Sequence, residues 1–271
     1  MIMPHGAIVN SIAPCHLEKL IDLNGVAKEK SAIFSTLPDN GVAVFPAECA
    51  GKDILRTAAG KRRIVTFGID GKGDIFAKFI SGELTGSTFD LHFPDGTIHR
   101  ISWHLTGIHN AINAAGAAAL AWACGIPAEI IARALPQTEL PGMRMKKTVI
   151  NGVTFYNDAY NANPASMLAS VNLLANASLP GRLILLLGGM RELGDSSFAE
   201  HRNLLALIKE KLPGAITLTI GKEFENLSGN HWQTPEEAGQ YLLSILKSGD
   251  TVFAKGSRGN AVEKALPEEA R

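Results

Sequence analysis

Short apolar runs alternate with amphipathic stretches along the whole chain. In the first half, AIVNSI (Ala7 to Ile12) and GVAVF (Gly41 to Phe45) predict buried strands, with a helix between them over roughly residues 23–37. FDLHFPDGTIHRISWHL alternates apolar and polar positions on both sides of Asp95-Gly96, and that dipeptide predicts a β-hairpin. Residues 110–124 are mostly alanine, a strong helix former whose small side chain lets another backbone come close. Gly125 and Pro127 end that helix and start a shorter one.

The second half is more regular. After LPQTELPGMR, where two prolines and a glycine break the periodicity, come four strand-like runs: VTFYN, LILLLGG, AITLTIG and TVFAKG. Each is followed by a stretch that reads as helix, beginning near Pro164, Ser197, Pro235 and Arg258. Strands separated by helices imply parallel pairing with right-handed crossovers, so this half predicts a doubly wound, mostly parallel, Rossmann-like α/β sheet. The boundary divides the chain into domains at 1–139 and 140–271. In such sheets ligands bind beyond the carboxyl ends of the strands. DAYNAN, GGMRELG and KGSRGN follow three of the strands, so polar residues are expected along one edge.

Composition narrows the partners. Of 271 residues, 46% are apolar, enough for two buried cores, and 26 lysines and arginines balance 26 aspartates and glutamates. No excess positive charge exists for a nucleic acid or an anionic membrane. Cys15, Cys49 and Cys124 are far apart and form no C-x-x-C pair, which fits a reducing compartment. No targeting leader or membrane span is legible, and the expectation is a cytoplasmic protein.

Five segments then stand together in order: GIHNAINAA (Gly107 to Ala115), PGMRM around Arg144, DAYNANPASM (Asp158 to Met167), GGMRELG followed by His201, and KGSR (Lys255 to Arg258). This series resembles the Mur ligases, and YNANP resembles the members that add D-alanyl-D-alanine to the UDP-N-acetylmuramoyl-tripeptide of the peptidoglycan precursor. The resemblance covers essentially the whole chain. It implies that the first half is a partial central ATPase-type domain. Family members are longer, with an N-terminal domain and a phosphate loop, but no G-x-x-x-x-G-K-[ST] occurs here, and DGKGD (Asp70 to Asp74) lacks both the spacing and the hydroxyl residue. The chain thus reads as the back two-thirds of a ligase.

Such ligases are understood to phosphorylate a carboxylate with ATP and let an amine displace phosphate, so cations and positioned donors carry the catalysis. By resemblance, His16 and Lys30 are catalytic and would hold Mg2+, Lys30 as a carbamate that supplies a hard oxygen ligand. Taken without the resemblance they are a surface histidine and a solvated helix lysine. His109, Asn110 and Asn113 occupy the positions that hold adenine and ribose; Asn110 is otherwise an N-cap. Arg144 matches the arginine that reaches the ATP phosphates, and Asp158 would accept from ribose. Tyr160, Asn161 and Asn163 would line the dipeptide's path, with Pro164 opening the next helix. Lys255, Ser257 and Arg258 would bind a carboxylate. A turn rich in Asn and Asp that caps a helix explains any one residue of DAYNAN but not the whole string.

Three readings compete. The first is an ATP-dependent amide ligase. The second is a non-catalytic binding module or half of a split ligase, with a separate chain supplying the phosphate loop. A third, a ligase joining glutamate to folate or amino acids to a polymer, shares the fold but not YNANP. Without a phosphate loop the β- and γ-phosphates lose their cradle, so this chain alone is expected to be inactive.

Overall fold

The computed structural model describes residues 4–13, 20–140 and 142–271. The chain forms two compact units, Met1–Thr138 and Glu139–Arg271.

The first unit is built on a six-stranded sheet in the order β1-β2-β3-β4-β5-β6. These strands are Gly6–Ile8, Val42–Pro46, Arg63–Ile69, Ile75–Glu83, Gly86–His92 and Ile98–Trp103. The first four run parallel and the last two complete an antiparallel meander. The expected hairpin forms: His92 pairs with Ile98, Asp95 Oδ1 accepts from the Thr97 amide at 2.9 Å, and Gly96 takes the positive φ that the turn demands. The strand expected at Ala7 to Ile12 is shorter, ending at Ile8.

Helix α1 (Leu23–Ser31) starts at Asp22, whose carboxylate accepts from the Gly25 amide at 2.8 Å, and it runs on as a 3-10 turn to Thr36. Helix α2 is Lys52–Ala59 and the alanine-rich helix α3 is Ile108–Ala123. Ala111, Ala114, Ala115, Ala118 and Ala119 are buried against the sheet. At Gly116 a Cβ would stand 3.0 Å from the Phe67 ring and 3.1 Å from Ile8, so this helix lies as close to β3 as its small residues permit. Helix α4 (Ala128–Ala134) follows.

The second unit has a six-stranded sheet in the order β11-β10-β9-β12-β8-β7. The strands are β7 Lys146–Ile150, β8 Val153–Asp158, β9 Leu183–Gly188, β10 Ile216–Ile220, β11 His231–Trp232 and β12 Thr251–Lys255. All neighbours pair in parallel except β7 with β8. That hairpin turns on Asn151 and Gly152, both at positive φ, the signature of a two-residue turn matched to strand twist. The α-helices are α5 (Pro164–Ala175), α6 (Ser197–Lys211) and α7 (Pro235–Ile245).

Burial explains the near-continuous apolar runs. Ile184 and Leu186 of β9 join one core with Val252, Ala254, Leu242 and Val262, while Leu183, Leu185 and Leu187 are buried on the opposite face. One expectation is corrected: no α-helix follows β12. Short 3-10 turns at Arg258–Asn260, Val262–Ala265 and Glu268–Ala270 take its place. Ala261 takes a left-handed φ of 47°, which a right-handed helix does not contain, so a regular helix does not propagate.

Phe67, with no exposed surface, carries the contact between α3 and the first sheet. Phe67→Ala is expected to lower the stability of this unit by about 3–5 kcal/mol in chemical denaturation, because α3 cannot collapse into the void without moving its alanine face.

Candidate functional site at the strand ends of the second unit

The carboxyl ends of β8, β9 and β12 carry the polar segments that the sequence placed there. Lys255 and Asp158 are direct partners in the register of β12 and β8, and their side chains meet at 2.5 Å. Both are largely buried, with side-chain exposures of 5% and 16%. Lys255 also donates to the Asn161 carbonyl at 3.3 Å. Asp158 accepts from the Met145 amide at 3.2 Å through its other oxygen.

The loop beyond β8 is fixed piece by piece. Asn161 folds its Oδ1 onto the Ala162 amide at 2.8 Å. Asn163 is the N-cap of α5: its Oδ1 accepts from the Ser166 amide at 2.8 Å, and its own amide donates to Ser166 Oγ at 3.0 Å. Pro164 then opens the helix, as expected. Tyr160 is exposed, its amide donating to the Met143 carbonyl at 3.0 Å. The Arg144 guanidinium lies 4.0 Å above its ring, so the aromatic face orients the cation. Met143 and Met145, flanking Arg144, both hold left-handed backbones, at φ 58° and 55°, which turn the chain sharply on either side.

The loop beyond β9 is braced from two sides. The Ser257 amide donates to the Gly189 carbonyl at 3.1 Å, and Asn260 Nδ2 donates to the same oxygen at 2.7 Å. Ser257 Oγ accepts from the Arg191 amide at 3.0 Å. His201, with no exposed surface, accepts from the Met190 amide through Nε2 at 2.8 Å, while Nδ1 meets the Ser197 carbonyl at 2.6 Å. These partners fix the neutral tautomer with its proton on Nδ1. Burial pushes this imidazole below its ordinary value, against the smaller opposing influence of the Ser197 carbonyl, Glu223 and Glu200.

Three of the expected residues follow β12. Lys255 and Ser257 are buried and bonded to neighbouring loops, and a 3-10 turn, not an α-helix, starts beside them at Arg258. Arg258 is exposed but bonded to Glu263 at 3.1 Å. One open cleft of this unit, about 280 Å³, lies one strand over, lined by Arg191, Glu223, Asn260, Lys222 and Gln233 among others. Glu223 and Asn260 were not singled out in the sequence. Both lie beyond strand ends, which was the available signal.

In the first unit, Asn110 is buried and is not the N-cap of α3, a position held by Gly107. Its Nδ2 instead donates to the Thr106 carbonyl at 2.8 Å. His109 and Asn113 are exposed near the start of α3, and Lys30 is exposed in the last turn of α1. His16 lies outside the described residues. Among the described residues, no helix is long and apolar enough to cross a membrane.

Lys255→Met should cost roughly 3–5 kcal/mol of unfolding free energy, since it strands a mostly buried carboxylate. His201 gives a pH signature. Its folded-state affinity for protons is depressed, so the unfolded chain binds the proton first as pH falls below the ordinary 6.5. The contribution is complete above that pH and is lost as pH drops toward the folded-state value. His201→Gln should remove this component from the unfolding free energy measured between pH 8 and pH 5.

Comparison with known proteins agrees with this geometry. The Mur ligase middle domain matches residues 1–121, and the Mur ligase, glutamate ligase domain matches residues 143–258. The UDP-N-acetylmuramoyl-tripeptide--D-alanyl-D-alanine ligase of Escherichia coli (strain K12) is 32% identical over 97% of this chain and 59% of its own length. The ligase of the same name from Haemophilus influenzae is 32% identical over 98% of this chain and 59% of its own length. A crystal structure of MurF from Acinetobacter baumannii, 29% identical, superposes with a TM-score of 0.84 over 97% of this chain and 59% of the MurF chain. The present chain therefore spans about three-fifths of the length of these relatives. With both domain matches in order and the strand-end motifs brought together, the chain belongs to the Mur ligase family.

Proposed function

We infer that this chain forms the nucleotide-handling and amine-handling portions of an ATP-dependent amide ligase that joins D-alanyl-D-alanine to UDP-N-acetylmuramoyl-tripeptide through an acyl phosphate. The observation that carries the reading is the meeting of Asp158, Asn161 and Lys255 at adjacent strand ends. It is supported by the family and by the activity for which the relatives are named. A cytoplasmic setting belongs to the same reading.

The chemistry asks for cations and donors around anions. Arg144, seated on Tyr160, supplies a planar guanidinium suited to a phosphate or carboxylate. Tyr160, exposed at the same loop, offers a hydroxyl toward the dipeptide's path. Asn163 and Ser257 act one step back, holding the helix start and the turn of Arg191. Arg258, exposed beside Glu263, remains a second candidate for a carboxylate. In the first unit His109 and Asn113 are the accessible groups for base and ribose, and the buried Asn110 accepts from Asn113.

Magnesium would, when bound, neutralise phosphate charge. Among the described residues no group of three His, Cys, Asp or Glu side chains is placed to hold it. Lys30 as a carbamate, together with His16, is the proposed ligand pair, and no step is derived through the ion.

One observation favours a binding role for the chain by itself: its 271 residues contain no G-x-x-x-x-G-K-[ST] string. The purified chain should therefore bind D-alanyl-D-alanine in calorimetry, and bind D-glutamate at least about tenfold more weakly, yet release no phosphate from ATP in response to the dipeptide. Equal binding of both ligands, or of neither, contradicts the assigned substrate. Dipeptide-dependent phosphate release contradicts the requirement for a phosphate loop.

A further inference from the structure

Asn10 lies two residues beyond the end of β1, and Asn113 lies in the second turn of α3. Although 103 positions apart in sequence, they meet: Asn10 Nδ2 donates to Asn113 Oδ1 at 2.6 Å. The bond begins a relay that runs in one direction. Asn113 Nδ2 donates to Asn110 Oδ1 over a long 3.5 Å, Asn110 Nδ2 donates to the Thr106 carbonyl at 2.8 Å, and Thr106 Oγ1 donates to the Glu83 carbonyl. The inner members Thr106 and Asn110 are buried, whereas Asn10 and Asn113 are exposed.

A carboxamide has two acceptor sites and two N–H donors. The relay engages one of each on this exposed side chain, so one lone pair and one N–H of Asn113 are left over. That pair is complementary to the edge of an adenine, where the N6 amino group donates beside the N7 acceptor. An oxopurine presents two acceptors on the same edge and leaves the amide oxygen unmatched. The distinction holds only while the carboxamide keeps its orientation. Two groups keep it, Asn110 through a long 3.5 Å contact to the amino group and Asn10 through the much shorter 2.6 Å donation to the oxygen, so Asn10 holds it more firmly.

We propose that Asn10 is a positioning residue for base selection, fixing which end of the Asn113 carboxamide accepts and which donates, and so favouring an aminopurine over an oxopurine. The assignment rests on the reading that Asn113 meets the nucleotide base. Asn10→Asp replaces the donor with a group that only accepts, and so turns the Asn113 amino group toward residue 10.

The test is the ratio of adenosine to inosine affinity, measured by calorimetric or NMR titration of the 271-residue chain. The unaltered chain should prefer adenosine by roughly tenfold, and Asn10→Asp should reduce the preference to about twofold or invert it, with the thermal midpoint unchanged. Asn10→Ala, which only truncates an exposed side chain, should narrow the ratio in the same direction and stands in if the aspartate variant does not fold. An unaltered ratio in the folded variants overturns the role of Asn10 and leaves the nucleotide reading in place. Full adenosine affinity in Asn113→Ala, or no binding of either nucleoside by the unaltered chain, overturns both.

Discussion

The Lys255–Asp158 ion pair is the constraint on which the strand-end site depends. Two opposite charges, mostly removed from water, sit on directly paired residues of neighbouring parallel strands. Taking such charges out of water is costly, and their attraction offsets the cost only where the geometry is good and further hydrogen bonds complete the shell. Here the Asn161 carbonyl and the Met145 amide complete it. One pair thereby ties the last residue of each strand to the loop leading into α5 and to the segment carrying Arg144.

The neighbouring loops extend the same logic. The Gly189 carbonyl and the amides of Met190 and Arg191 are each bonded to a group that comes from α6 or from the segment after β12. Loops braced this way are already ordered by their own hydrogen bonds, so a ligand bound at them would spend little free energy on ordering them. Parallel strands make this possible because their carboxyl ends, and hence their loops, gather on one edge. The first unit achieves a comparable order differently, with an alanine face pressed on the sheet and a relay of carboxamides leading to its surface.

Much of this was legible beforehand. Period and punctuation gave the four long parallel strands of the second unit, the Asp95-Gly96 hairpin and the alanine helix, because each has a strong local cause. The hairpin of β7 and β8 was missed although Asn151-Gly152 is a strong turn signal, since KKTVI is only partly apolar and lies on an edge. The helix expected to begin near Arg258 is replaced by short 3-10 turns because the chain takes a left-handed backbone at Ala261, where tertiary structure overrides local propensity. Among site residues, motif order identified the segments but not the direction in which side chains point. Asn163 and Ser257 turn inward to cap and brace, Asn110 is buried, and Asn10 has no motif of its own: its partner is 103 residues away, and only the tertiary structure unites them.

The central claim, that these three strand ends form one binding surface for the amine, is tested most directly by mapping amide chemical shifts as D-alanyl-D-alanine is titrated into the chain. The account predicts that perturbed amides cluster in residues 158–163, 189–191 and 255–260. Shifts confined to the opposite edge of the same sheet, around Leu212, Ala215 and Asn230, would contradict it.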